Sequence, residues 1–139
     1  MEKLVNIDFL VVAYFVGIFI DWIFQLNWQA LNKSKWSKDD NKLLSFCAVI
    51  SHSFIYASFT SIATLYLIKD FLNHDFWLVF WTLFISHAII DTRILVKYIM
   101  RFKGMTREQI NDYQNYGFMH IGIDHRLHEV VLLGLAMFV

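Results

Sequence analysis

A chain of 139 residues makes one domain, and 58% hydrophobic content without a single proline points to one that is nearly all helix. Zero net charge excludes nucleic acid as a bulk electrostatic partner. One cysteine, Cys47, excludes an internal disulfide and reads as a small core residue.

The opening residues lack the basic region and small-residue cleavage site of a signal peptide, so the first apolar segment reads as retained. Residues 4–28 form the first predicted span, with Asp8 near its start and Asp21 near its end. A polar loop follows, in which Ser37 reads as a helix N-cap ahead of the first-turn acids Asp39 and Asp40. Residues 43–68 carry no charge and are long enough to cross ~30 Å of hydrocarbon. After a short turn, residues 76–100 form the third span, carrying His87, Asp91, Arg93 and Lys97. The polar stretch 101–117 contains Thr106-Arg-Glu-Gln109, a capping-box pattern that opens a short surface helix. Residues 118–139 form the fourth span, polar at its start and apolar from Val130 onward.

A soluble four-helix bundle would show polar outer faces, and 43–68 has none, so the expected fold is an all-α, four-span transmembrane bundle. Lysine and arginine concentrate in loop one (Lys33, Lys35, Lys38, Lys42) and region three (Lys97, Arg101, Lys103, Arg107). The positive-inside rule places that side in the cytoplasm and both termini outside. Trp22, Trp28, Trp36, Trp77 and Trp81 read as core and interfacial-belt residues.

Within these apolar spans stand six costly side chains. His87 and Asp91 share one helix face at i, i+4, and Asp124 and His128 repeat the arrangement. Asp21 and His52 sit in the other two spans. Counted from the cytoplasmic ends, all six fall about two to three and a half helical turns deep. They cannot face lipid, so an up-and-down bundle directs them to one interior layer. Three imidazoles and three carboxylates suit one or two divalent ions, zinc first, with manganese or iron also compatible. Such an ion lowers the pKa of bound water and polarises a phosphoryl or carbonyl oxygen. The expected chemistry is hydrolysis of a phosphoester, ester or amide presented at the membrane–cytosol interface.

Around this set, Gln25 lies one turn beyond Asp21 and could support it, or serve as bundle glue. Glu129 is a possible general base, although it points roughly 100° around the helix from His128. His120 lies on the Asp124/His128 stripe, where it could guard access or relay protons. His125 and Arg126 face elsewhere, towards phosphate headgroups. Taken singly, His52 reads as a hydrogen-bonded core residue, and each His–Asp pair could simply stabilise helix packing.

The order Asp-Trp-Ile-Phe-Gln (21–25), Ser-His-Ser (51–53), Ser-His-Ala-Ile-Ile-Asp (86–91) and Asp-His-Arg-Leu-His (124–128) resembles a family of small multi-spanning bacterial and phage proteins. That family is filed as domain of unknown function 3307, and the resemblance covers essentially the whole chain. Its pattern is D-x-x-x-Q, a histidine-bearing span, H-x-x-x-D and D-Q-x-x-H. Asp21, Gln25, His52, His87, Asp91, Asp124 and His128 match it, while His125 replaces the glutamine. That departure removes an amide contact near the metal or supplies a further ligand. The resemblance implies a bacterial cytoplasmic-membrane protein and the positions of a site, without settling a reaction. More distantly the pattern is similar to inner-membrane metal-dependent hydrolases and to the all-helical zinc phospholipase C type of site. Membrane lipids, or a lipid-associated substrate, are the expected partners. A non-catalytic phage or bacterial immunity factor or interaction subunit, a haem-binding bundle and a proton or ion path are the competing readings.

Overall fold

The computed structural model describes residues 5–33, 42–68 and 73–138. Among them the chain is all helix: α1 (Ile7–Ile23), α2 (Asn27–Lys33), α3 (Lys42–Ile68), α4 (Asn73–Asp91), α5 (Ile94–Phe102), α6 (Arg107–Asn111) and α7 (Tyr113–Ala136). The four long helices close a ring in which α1 packs on α3, α3 on α4, α4 on α7 and α7 on α1. That circuit is the up-and-down arrangement of a four-helix bundle.

Local chemistry sets the ends. The Asn6 side chain caps α1 by accepting from the Phe9 N–H at 3.0 Å, and its own N–H donates to the Ala136 carbonyl at 2.7 Å. One residue thereby starts α1 and ties it to the end of α7. Thr106 and Gln109 form the expected capping box of α6, each side chain accepting from the other's backbone N–H. α6 then seats Ile110 against Val96 and Met100 in a satellite apolar cluster beneath α5 and α7.

The bundle is apolar outside, and beside an apolar core built around Phe9, Tyr56, Leu83 and Leu132 it buries a set of polar side chains. Ser53, Thr60, Ser61 and Thr64 are buried along α3, while Phe54, Phe59 and Ile62 of the same helix are exposed. Phe15 and Phe19 of α1 and Ile85 and Ile89 of α4 also face outward. Water-soluble bundles distribute these residue types the other way round. Trp22, Trp28, Trp77 and Trp81 are all exposed, which corrects their reading as partly core; Trp36 lies outside the described residues. Cys47 is exposed too, not buried as expected.

Four uninterrupted spans are not what the helices show. One helix, α3 over Lys42–Thr64, is long and apolar enough to cross a membrane, and the count rises to three if two bent pairs each form one span. The first expected span, 4–28, breaks after Ile23, and α2 leaves at 98° to α1. No glycine or proline causes this. Gln29 holds the bend instead: its Oε1 accepts from the Leu26 N–H at 2.9 Å and its Nε2 donates to Ser51 Oγ at 2.9 Å. The third, 76–100, breaks at Arg93, whose φ of 58° is left-handed and costly for a side-chain-bearing residue; α5 turns 61° from α4. The fourth begins at Tyr113, not 118, and α7 is not among the candidates for crossing, since Asp124, Arg126 and Glu129 interrupt it. The cap expected at Ser37 lies outside the described residues.

Candidate metal centre

The breaks and the ring together deliver the polar side chains to one place. α4 ends on Asp91, one turn after His87, while α1 brings Asp21, α3 His52 and α7 His128. His52 Nε2 stands 2.8 Å from Asp21 Oδ1 and 3.6 Å from Asp91 Oδ2. His87 Nε2 stands 3.5 Å from Asp91 Oδ2 and 3.9 Å from Asp21 Oδ1. Asp21, His52 and His87, from three helices, therefore form one group of ligand atoms, and Asp91 Oδ2 lies beside its two histidines. A tetrahedral ion with bonds of ~2.0–2.1 Å separates its ligands by about 3.3 Å, the middle of this range.

His128 joins from the fourth helix. Its Nδ1 meets the Asp124 carbonyl at 2.9 Å, which turns Nε2 inward to complete a second group with His87 and Asp91. An imidazole fixed through one nitrogen so that the other can ligate is the usual arrangement at metal sites. The His87 ring lies 4.4 Å from that of His128 and 5.0 Å from that of His52. Both His87 ring nitrogens, Asp91 Oδ2 and His128 Nε2 are buried without a hydrogen-bond partner among the described residues. Unpaired buried polar atoms are expensive, and here they share one focus.

Asp124 is the member of the six that these groups leave out. It contributes its carbonyl to His128, and its Oδ1 is buried without a partner among the described residues. Gln25, in the break between α1 and α2, places Nε2 3.3 Å from His52 Nε2. His125 and Glu129 line a narrow cleft between α1 and α7 that reaches Asp21 and His128. The Glu129 carboxylate is paired with Arg126. His120 stands apart from the cluster. It is buried against α6, with Nε2 2.8 Å from the Ile110 carbonyl and its ring stacked on Tyr113 at 4.3 Å. It ties α7 to α6.

Three contributors escaped sequence reading. Lys33, counted as a loop charge, is buried, with Nζ 3.0 Å from Asp91 Oδ1. It holds one carboxylate oxygen and leaves the other facing the histidines. Tyr56 stacks on His87 at 4.0 Å. Gly17 makes room for it, since a Cβ there would lie 2.5 Å from Tyr56 Oη. The available signal was Gln29 and Lys33 at i, i+4, which places both on one face of a helix continuing past Trp28.

Comparison of the chain with known protein families, with curated proteins and with solved structures found no match.

Proposed function

We propose that this chain is an integral membrane protein that binds one divalent cation, zinc first, through Asp21, His52, His87 and Asp91 with His128 adjacent, and that it is a metal-dependent hydrolase. The observation that carries the reading is the convergence of histidine and aspartate ligand atoms in a buried layer, three of them (His87 Nε2, Asp91 Oδ2 and His128 Nε2) without a hydrogen-bond partner among the described residues. The apolar exterior and the motif resemblance support placing that layer in a membrane. One ion fits better than two, because both groups use His87 and a neutral imidazole offers one lone pair. Manganese and iron suit the same donors.

When bound, the ion supplies an acidified water and a polarised substrate oxygen. The chain's own residues do the rest. Lys33 fixes Asp91, Gln25 meets His52, and Tyr56 holds the plane of His87. Two carboxylates and one ammonium are in direct contact, so a divalent ion leaves the pocket with one positive charge, which favours a phosphoester over a neutral ester or amide. Glu129 and His125 on the cleft are placed to receive or deliver a proton. The lysines and arginines of the polar stretches after the first and third expected spans support a cytoplasmic-side site.

Elemental analysis of protein purified in mild detergent tests the reading. About one metal per chain is expected, lost in His87→Ala and Asp91→Ala. Metal-free protein whose stability is unchanged in those variants overturns it. A second reading has its own support: the Lys33–Asp91 pair already provides one counter-charge, as in a non-catalytic membrane factor whose polar residues lock its helices. That reading expects no metal and function that survives Asp124→Asn.

A further inference from the structure

A groove open on one side runs between α5 and α7, and no residue of the histidine–aspartate cluster lines it. Its walls are apolar, built by Ile99, Phe118, Ile123 and Val130, and two cations, Lys103 and Arg126, stand on it. Gly122 faces it with open space where a Cβ would go. The lining runs along α7 from Phe118 to Val130, about 18 Å at 1.5 Å per residue, against the ~15 Å that one leaflet's hydrocarbon occupies.

α5 sets the level of the groove's mouth. It turns 61° out of the bundle, and carries Lys97 and Arg101 together with Tyr98 and Phe102, which are 70% and 88% exposed. A short helix with a basic face and exposed aromatic rings lies at headgroup height. Arg126 is neutralised by Glu129, whereas Lys103 has no carboxylate within ion-pair distance among the described residues. The groove thus offers a hydrocarbon channel and one uncompensated cation.

We propose that this groove holds one anionic phospholipid, its acyl chain along α7 between Phe118 and Val130 and its phosphate at Lys103. The proposal rests on the membrane reading above and is independent of the metal.

The test uses the full chain reconstituted in vesicles of equal phosphatidylglycerol and phosphatidylcholine, then extracted in mild detergent. Native mass spectrometry should find one retained phospholipid, with phosphatidylglycerol favoured about fivefold, the factor one lysine near an anionic headgroup contributes. Gly122→Leu puts a side chain into the groove from a position where a Cβ meets nothing within 4 Å, so it should abolish retention while helix content and flotation with vesicles stay as in the wild type. Lys103→Glu should erase the preference but not retention. Unselective retention, or retention unchanged in Gly122→Leu, overturns the proposal alone. Protein that does not float with vesicles at all removes the membrane reading, and the proposal with it.

Discussion

Replacing Lys33 by methionine separates the ion pair from the metal site. Its Nζ lies 3.0 Å from Asp91 Oδ1, and both side chains are buried. At that distance, with an effective dielectric constant of about 20, the attraction is about 5.5 kcal/mol before desolvation. Removing one partner of a buried pair strands the other, at a typical cost of about 3–5 kcal/mol. Lys33→Met should therefore lower stability by that amount in chelator, read by circular dichroism as denaturant is titrated into detergent-solubilised protein. Lys33→Met/Asp91→Asn, which strands no charge, should recover most of it. Zinc at a hundredfold excess over Kd stabilises the wild type by about 2.7 kcal/mol. It should stabilise Lys33→Met by more, because the ion supplies the counter-charge that Asp91 has lost. If Lys33→Met stays within about 1 kcal/mol of wild type in chelator, the pair does not hold α2 in place. If zinc benefits both proteins equally, Asp91 is not a ligand.

Gly17→Ala should cost about 1–3 kcal/mol, the usual penalty of overpacking, by pushing Tyr56 off His87, and Tyr56→Phe in the same chain should restore most of it, since Oη is the atom met at 2.5 Å. Denaturant titration of the two variants beside the wild type checks this. His128→Ala should weaken metal binding more than Asp124→Asn, because His128 Nε2 faces the cluster and Asp124 belongs to neither ligand group; competition with a chromogenic chelator gives both affinities. Asp112 caps α7 through hydrogen bonds from Asn115, which hold its carboxyl below the usual aspartate range. Its contribution is present above the ordinary aspartate pKa and is lost as pH falls through the depressed one. Asp112→Ala should flatten that part of the acid titration of helix content and leave neutral pH metal binding unchanged.

Depth along the chain was legible because helical rise is constant, so counting turns placed Asp21, His52, His87, Asp91 and His128 at one level without any knowledge of packing. The capping box at Thr106 was legible for a similar reason, being a purely local exchange of hydrogen bonds. The two breaks were not. Gln29 bends the chain only because Ser51 stands opposite it, and Arg93 adopts φ 58° with its guanidinium 5.4 Å over the Tyr113 ring. Both causes lie far away in sequence. Missing the first break turned Lys33 from a site residue into a loop charge. His120 failed for the converse reason: it lies on the right stripe, but α6 supplies a carbonyl that claims it.

The breaks also bear on the proposed cation. α1 ends at Ile23, just past Asp21, and α4 ends on Asp91 itself. Each carboxylate thus sits in the last turn of its helix, where unsatisfied carbonyls give the end a partial negative charge that favours cations and disfavours acids. Neither last turn carries a basic residue of its own. Two negative helix ends and two carboxylates are therefore brought together in a low-dielectric interior, with Lys33 the one ammonium in contact among the described residues. A packing device would have no reason to concentrate like charge in this way, since neutral amides could bridge the helices at lower cost. The proposed divalent cation would cancel the excess, and the straight helices expected from sequence would have left no such concentration to cancel.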